Sequence, residues 1–551
     1  MKFVNIALIA LAFPMLALAD RLIYPEVVLT FSTSLVSNSL QKVSEKLNLG
    51  LNPANFILNE TKESLLGTHY YYQHVINGYQ VDGSQVVISV NAKNEVIKVY
   101  NAAVPENLKS KMASIPFVSE SMAMELTWKA LNVNGSLISA PAAKMIYTKE
   151  MNLVYSIDLA TSSPFGHWNI LVNAQDGNII TINDATLPRM KKEGVVARNK
   201  SKAVFSSLSS ALASFEKTYQ KAFLNEDITF VDGTAQIFDP NPVVTLGRTD
   251  LEDRTDASAF LGAYRNEVLK DISFSGGVYA LKGPKVKVID FESPTKPTST
   301  SADGSWIFER NNTSFNDAMT YLHIDRSIRY IESLGFVGNS AVFTKGLEVD
   351  SNGVDGADNS YYIPSSRRLA FGHGCVDDNE DADVILHELG HAIQHHINSG
   401  WSGGDTGAMG EGFGDYWAAS YSVTTESGLE GNVDWVFKWD GHNGCWPGRK
   451  LNAFSPGYNS MRSYSAHSQV DGGISDELWS TPIFQAFLEL YKRGVSRGDI
   501  DKIILEAHFG LGSGIKMPEM AKAIVKTAKA LFPSQDYHEV YTRHFKKQKI
   551  L

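Results

Sequence analysis

The run Asp383-Val-Ile-Leu-His-Glu-Leu-Gly-His contains the residues that could most clearly carry out chemistry, His387, Glu388 and His391. On an α-helix of about 3.6 residues per turn, histidines four positions apart face the same side and can bind one ion. Imidazole nitrogen suits Zn2+, and a glutamate between two such histidines can reach a metal-bound water instead of the metal. The pattern predicts a hydrolytic zinc site. The alternative is an ordinary amphipathic helix with structural histidines.

A second acidic pattern follows in the run Gly407-Ala-Met-Gly-Glu-Gly-Phe-Gly-Asp, where Glu411 and Asp415 again stand four positions apart. A catalytic zinc needs three protein ligands and an open position, and Glu411 can supply the third ligand from a neighbouring helix. Asp415 would face the same way one turn later. Its carboxylate can accept the free ring N–H of a zinc-binding histidine and fix the orientation of that ring.

The spacing from His391 to Glu411, together with the Glu-x-x-x-Asp that follows, resembles the thermolysin and fungalysin superfamily of zinc endopeptidases, the gluzincins. The phrase Met-Gly-Glu-Gly-Phe-Gly-Asp-Tyr-Trp is more similar to the fungalysins. The metzincin pattern is excluded because Gln394 and Ile397 stand where it has a glycine and a third histidine. His395 lies a further turn from the metal, and we interpret it as structural.

The resemblance also implies an oxyanion donor, for which His467 is the candidate. It begins the run His-Ser-Gln-Val-Asp-Gly-Gly-Ile-Ser-Asp-Glu-Leu-Trp, which resembles the family's histidine loop and the helix after it. His467 stands at least one residue upstream of the family position, so the assignment requires a small loop insertion. Tyr464 or a nearby donor is the alternative.

Two further residues are predicted from the resemblance to bind the substrate backbone. Arg449 follows Trp-Pro-Gly at about the place of the arginine that holds a substrate carbonyl, with Arg462 as the alternative. Asn359, in Asp-Asn-Ser-Tyr-Tyr, resembles the edge-strand asparagine that binds a peptide laid down as an added strand.

Five acidic residues precede the predicted zinc helix: Asp377, Asp378, Glu380, Asp381 and Asp383. Carboxylates at this end favourably face the positive pole of the helix dipole, so helix capping is the first interpretation. A Ca2+ site is the alternative, because Asp383 stands where thermolysin has a calcium-ligating aspartate and the stretch 350–358 is also rich in oxygen donors.

The chain contains two cysteines, Cys375 and Cys445. In an oxidising compartment such a pair predicts one disulfide, which would tie together loops on either side of the zinc helices. Two buried free thiols are the alternative.

The organisation along the chain is that of a secreted precursor. A basic residue, an apolar stretch and Ala17-Leu18-Ala19 predict a signal peptide. Helical periodicity followed by strand-like segments resembles the FTP and PepSY propeptide modules. A run that is first basic and then rich in serine and alanine comes next, and we interpret it as a solvated linker that contains the maturation site. The predicted boundaries are 1–19 signal peptide, 20–112 FTP-like unit, 113–184 PepSY-like unit, 185–230 linker, 231–396 catalytic N-lobe including the zinc helix, and 397–551 helical C-lobe.

The predicted fold class is α+β: a thermolysin-like catalytic domain, with a mixed α/β N-lobe and a mainly helical C-lobe, preceded by two small α+β propeptide units. A formal net charge of -10 argues against nucleic acid or an anionic membrane as the main partner. We therefore expect a secreted zinc endopeptidase whose partners are peptide or protein substrates and its own propeptide. The alternatives are a non-catalytic extracellular binding protein on the same scaffold and an exopeptidase of the same clan.

Overall fold

The computed structural model describes residues 21–32, 36–105, 115–190, 207–219, 228–455 and 457–551. The predicted signal peptide, 1–19, and much of the predicted linker lie outside these ranges. The helices are α1 (Val36–Lys46), α2 (Glu120–Ala130), α3 (Leu208–Tyr219), α4 (Pro242–Leu246), α5 (Thr313–Ser333), α6 (Ala382–Ile397), α7 (Thr406–Ser422), α8 (Ser475–Lys492), α9 (Arg497–His508), α10 (Met517–Leu531) and α11 (Tyr537–Lys547). Among the described helices, none has both the length and the apolar character needed to cross a bilayer.

The N-terminal part of the chain forms one nine-stranded sheet. Its strands are β1 (Leu22–Ile23), β2 (Phe56–Glu63), β3 (Thr68–Ile76), β4 (Tyr79–Val90), β5 (Val96–Asn101), β6 (Ala142–Tyr147), β7 (Leu153–Ser162), β8 (Phe165–Asn173) and β9 (Ile179–Asp184). The strand order is β1-β5-β4-β6-β7-β8-β9, with β3 pairing with β4 and β2 with β3. The expected turn at Asn77-Gly78 lies between β3 and β4.

The two predicted propeptide units share this sheet instead of forming separate ones. Gln80 and Val81 of β4 pair in parallel with Ile146 and Tyr147 of β6. Each half keeps its own apolar cluster, one under α1 and one under α2. Pairing β4 with β6 satisfies backbone groups that an open sheet edge would leave exposed.

The described residues of the predicted linker contain regular structure. Leu187–Pro188 forms a short strand, β10, and the Ser/Ala-rich run contains α3, whose Leu208 and Ala211 are buried in the same cluster as residues of α2. We expected this run to be solvated because of its composition. Apolar side chains at helical spacing, three positions apart, explain why it packs instead.

The remainder of the chain contains two five-stranded sheets and two short hairpins. The strands are β11 (Thr229–Phe238), β12 (Tyr264–Ser275), β13 (Val278–Ala280), β14 (Val286–Val288), β15 (Thr300–Ser301), β16 (Ser305–Trp306), β17 (Leu347–Asp350), β18 (Ser360–Ile363), β19 (Arg368–Phe371), β20 (Trp435–Val436), β21 (Arg449–Lys450), β22 (Gln469–Val470) and β23 (Gly473–Ile474). One sheet has the order β10-β18-β19-β17-β14, the other β15-β13-β12-β11-β16. The linker strand β10 is therefore an edge strand of the first sheet.

Helix α6, which carries His387, Glu388 and His391, is enclosed by other parts of the protein. In α6 every residue from Ala382 to Gln394 is buried. It packs between α5, α7 and strand β18. Such a helix can present two histidines to an interior site because neighbouring elements exclude solvent around them.

The first propeptide-like unit docks on the end of α9 and on the loop after it. Glu506 accepts hydrogen bonds from the Ser64 hydroxyl at 2.6 Å and from the backbone N–H of Leu65 at 2.9 Å. The Tyr100 hydroxyl donates to the Ser513 carbonyl at 2.9 Å, and the Lys98 ammonium donates to the Phe509 carbonyl at 2.5 Å. Polar groups this well buried and paired make the contact specific in position.

Glu506→Ala should loosen this contact, because it would remove the acceptor of the partly buried Leu65 N–H and the close acceptor of the Ser64 hydroxyl. Removing one partner of a buried hydrogen-bonded set costs about 1–3 kcal/mol. Thermal unfolding and limited proteolysis of the full-length protein would measure the loss. The exposed Glu252→Ala is the matched control, and equal stability of the two variants would contradict the role of Glu506.

Candidate active site

Helices α6 and α7 bring together the three predicted zinc ligands. The Nε2 atom of His387 lies 3.3 Å from Oε2 of Glu411, and Nε2 of His391 lies 3.3 Å from Oε1 of the same carboxylate. One ligand atom from each residue falls within 4.8 Å of the others. Within the described part of the chain, His391 Nε2 and Glu411 Oε2 are buried without a hydrogen-bond partner. Two imidazoles and a carboxylate that share one enclosed point are a donor set suited to Zn2+.

Glycines allow the two helices to approach closely enough for this cluster. A Cβ atom added to Gly414 would lie 2.6 Å from Nδ1 of His387, and one added to Gly390 would lie 2.8 Å from the Cα of Gly414. Glycine inside a helix costs about 1 kcal/mol relative to alanine. The close approach that places Glu411 beside both histidines accounts for Gly390 in α6 and Gly414 in α7.

Glu388 lies on α6 between the histidines and is completely buried. Neither of its carboxylate oxygens has a hydrogen-bond partner among the described residues. Burial raises the pKa of Glu388 to about 8. A carboxylate with free oxygens in such a place is available to accept a proton.

Asp415 contacts the His387 ring on the side away from Glu411, and Arg449 in turn binds Asp415. Oδ1 of Asp415 lies 3.0 Å from Nδ1 of His387, so the ring turns its Nε2 toward Glu411. The Arg449 guanidinium donates to the same Oδ1 from Nε at 3.0 Å and from Nη2 at 2.8 Å. The contact orients His387 as the predicted outer carboxylate would.

His467 lies beside the cluster despite its unexpected place in the sequence. Its Nε2 is 3.5 Å from Oε2 of Glu411, and its Nδ1 is 2.8 Å from Oδ2 of Asp476. Burial lowers the pKa of His467, but the carboxylates of Glu411 and Asp476 outweigh this effect and raise it to about 9. The protonated ring is a donor on both nitrogens.

The alternatives considered for these positions lie elsewhere. Arg462 has an exposed side chain, and its Nη1 lies 3.9 Å from Oδ2 of Asp471. The Tyr464 hydroxyl contacts the backbone of Asn459. His395 lies near the Tyr362 hydroxyl, 3.1 Å from Nδ1, and does not join the cluster.

A segment of the chain itself occupies the groove at this cluster. Strand β10 pairs antiparallel with β18, and beyond it the Arg189 N–H donates to the Ser360 carbonyl at 3.1 Å. Asn359 holds Met190 on both sides, accepting from its N–H at 3.1 Å and donating to its carbonyl at 3.3 Å. Asn359 therefore holds the backbone of a strand of this chain, and its role toward a substrate stays a prediction.

The carbonyls of this segment are held by the two predicted cationic side chains. His467 Nε2 lies 2.9 Å from the Pro188 carbonyl oxygen, and Arg449 Nη1 donates to the Arg189 carbonyl at 2.8 Å. All eight site residues predicted from the sequence thus lie around one cleft. Sequence reasoning missed Asp476, Asp440 and the occupying strand, and gave Asp378 a capping or calcium-binding role, since no local spacing relates these residues.

Cys375 and Cys445 form a disulfide with their Cα atoms 6.3 Å apart. The bridge joins the loop before α6 to the loop before β21. The two loops flank the cleft, as expected from the positions of the cysteines.

The acidic residues before α6 are satisfied by protein donors. Asp381 caps the helix by accepting from the N–H of Asp383, and also accepts from Trp439 N–H at 3.0 Å. Glu380 accepts from Nε of Arg310 at 2.8 Å. These contacts match the capping interpretation, and calcium stays an untested prediction.

Comparison with known proteins gives a local family match. Residues 54–103 match the family described as Fungalysin/Thermolysin Propeptide Motif, FTP. The chain is similar to bacillolysin of Bacillus subtilis (strain 168), with 27% identity over 135 residues, which is 22% of this chain and 26% of bacillolysin. Bacillolysin of Bacillus amyloliquefaciens gives the same identity and coverage. The match thus spans about a quarter of the length of these relatives.

Among solved structures, the precursor of protealysin, a metalloproteinase from Serratia proteamaculans, overlaps 47% of this chain and 84% of its own, with 14% identity and a TM-score of 0.36. The C-terminal domain of Bacillus megaterium YpeB overlaps 30% and 70%, with 12% identity and a TM-score of 0.17. The FTP match and the bacillolysin relatives confirm the resemblance to thermolysin-like metallopeptidases with a propeptide. The PepSY-like unit stays a prediction.

Gly414→Ala should disrupt the cluster, because the new methyl group would collide with the His387 ring. We expect the zinc content of the purified protein to fall severalfold. The free energy of unfolding should drop by about 1–3 kcal/mol, as for overpacked cores. Gly444→Ala is the control, since a Cβ there meets nothing within 4 Å. Full zinc occupancy in Gly414→Ala would show that the close helix approach is not required.

Proposed function

We propose that this protein is a secreted, zinc-dependent endopeptidase made as a zymogen. The observation that carries the proposal is a strand of the chain held across the His387, His391 and Glu411 cluster, with the unpartnered Glu388 beside it. The FTP match and the similarity to bacillolysins support a propeptide ahead of a metallopeptidase. The apolar leader and the disulfide support export to an oxidising compartment.

Zinc would be held by Nε2 of His387, Nε2 of His391 and the carboxylate of Glu411. When bound, the ion supplies Lewis-acid polarisation of a peptide carbonyl and lowers the pKa of a water molecule. The buried, unpartnered donor atoms of His391 and Glu411 support this assignment. Asp415 and Arg449 would hold His387 in the orientation it needs.

The remaining residues would have separate roles in hydrolysis. Glu388 would accept a proton from the attacking water and later deliver it to the leaving amine nitrogen. His467 would donate to the carbonyl oxygen as negative charge develops there, oriented by Asp476. Arg449 and Asn359 would fix the backbone of the peptide and so reduce the entropic part of the barrier.

The groove favours an endopeptidase over an exopeptidase. The segment Leu187–Met190 is internal to the chain and lies in the cleft with backbone contacts on both sides of the cluster. No chain terminus is needed for these contacts. Blocked peptides should therefore serve as substrates.

The same contacts support a zymogen. A strand that fills the groove prevents entry of a competing peptide, and the buried Glu506 network fixes the unit to which it is attached. Removal of the N-terminal units would be required before substrates gain access.

Glu388→Gln should retain zinc and folding but lower kcat by about 10²–10⁴-fold, the usual contribution of a general base. The change keeps the size of the side chain and removes only its basicity. Hydrolysis of a blocked, internally quenched peptide and metal analysis of the same sample would measure both quantities. Glu252→Gln, an exposed change of the same type, should behave as the parent protein; unimpaired turnover in Glu388→Gln would refute the mechanism.

Glu411→Ala should lose both zinc and activity, because two histidines alone are an incomplete ligand set. Treatment of the parent protein with a chelator should have the same effect, and added Zn2+ should restore activity only to the parent. Stoichiometric zinc in Glu411→Ala would mean that the third ligand is another residue.

A further inference from the structure

The side chain of Arg189 is completely buried, although its sequence context suggested a solvated linker. Nη1 donates to Oδ2 of Asp440 at 2.5 Å, and Nη2 donates to Oδ1 of Asp378 at 3.1 Å. Asp358 lies further out, 3.8 Å from Nη2. Arginine is almost never fully buried unless it is paired, so this cavity is built around a cation.

The walls of the pocket are aromatic and fixed in place. The Arg189 guanidinium carbon lies 5.0 Å from the ring centroid of Trp446. The Trp446 indole N–H donates to Oδ2 of Asp440 at 2.9 Å, and the Ser360 hydroxyl donates to Asp378. The two carboxylates therefore keep their positions through protein donors and face the pocket with the oxygens that bind Arg189.

The pocket lies at a defined place relative to the candidate zinc site. His467, which is 3.5 Å from Glu411, contacts the carbonyl of Pro188, and Arg449 contacts the carbonyl of Arg189. The Pro188 carbonyl, which precedes Arg189, is thus the one held by the proposed oxyanion donor. The pocket receives the side chain of the residue that supplies the nitrogen of that peptide bond.

We propose that this pocket selects arginine, so that the site hydrolyses the peptide bond on the amino side of an arginine residue. The inference rests on the endopeptidase function proposed above. In the reaction water adds across the C–N bond: its hydroxyl group goes to the carbonyl carbon, giving a carboxylate, and the proton goes to the departing α-amino group of arginine.

Charge and shape both favour arginine over other side chains. Two carboxylates at separate points match the planar fork of a guanidinium, whereas a lysine ammonium is a single point charge. Burial raises the pKa of Asp378 and of Asp440, and Arg189 acts in the opposite direction by favouring their charged forms. A leucine side chain would leave both carboxylates without a counter-charge.

Matched quenched peptides that differ only in the residue after the cleaved bond test this directly, with the self-processed product of the full-length protein as enzyme. Arginine, lysine, citrulline and leucine are compared. We expect kcat/KM for arginine to exceed that for citrulline and for leucine by about 100-fold or more, the usual effect of an unpaired buried charge. Lysine should fall between.

Asp440→Asn and Asp378→Asn should each lower the ratio of arginine to leucine hydrolysis by at least about tenfold, because each removes one of the two paired charges. Asp250→Asn, at an exposed aspartate paired with Arg248, should keep the ratio of the parent. A ratio unchanged in both pocket variants would overturn the inference.

A second readout does not need turnover. In the full chain carrying Glu388→Gln, Arg189→Leu should lower Tm by several degrees and Arg189→Lys by less, since only leucine leaves both carboxylates unpaired. Equal Tm in the two variants would count against a cation pocket.

The two proposals fail in different ways. Chelator-sensitive hydrolysis that prefers leucine to arginine would overturn the arginine inference and leave the endopeptidase proposal intact. Absence of hydrolysis of every peptide, with zinc bound, would overturn both.

Discussion

The carboxylates around the cleft are almost completely shielded from solvent, and an unpaired charge in such surroundings is costly. The molecule meets this constraint in a different way for each carboxylate. Asp415 is paired with Arg449 and His387, and Asp378 and Asp440 share Arg189. Glu388 and one oxygen of Glu411 have no hydrogen-bond partner among the described residues. These exceptions lie together, where a cation and a water molecule would complete the set.

This compensation depends on close backbone packing. Residues without a side chain at Gly390 and Gly414 let α6 and α7 approach until a carboxylate on one helix reaches two rings on the other. The helices lose intrinsic stability at these positions, and burial of the surrounding apolar residues offsets the loss. The packing that excludes solvent also fixes the orientations of the predicted ligand side chains. The glycines thus lower the stability of each helix but allow a preorganised site.

Local spacing predicted what lies on single elements. The four-residue intervals of His387 to His391 and of Glu411 to Asp415 define helix faces, and these residues lie on α6 and α7. Contacts between distant segments could not be predicted in this way. Arg189 and Asp440 are 251 residues apart, and no pattern links a basic residue in a Ser- and Lys-containing stretch to that aspartate. The placement of His467 likewise required the loop conformation, including its positive φ of 54°.

The disulfide between Cys375 and Cys445 lies closer in sequence to the proposed arginine pocket than to the predicted zinc ligands. Asp378 follows one cysteine and Trp446 follows the other, so the bridge joins opposite walls of the arginine cavity. The predicted ligands His387, His391 and Glu411 stand on helices α6 and α7, which pack directly against each other. Reduction of the bridge would therefore act first on the proposed arginine pocket and only later on the proposed zinc site, so a reducing environment would broaden the proposed sequence preference.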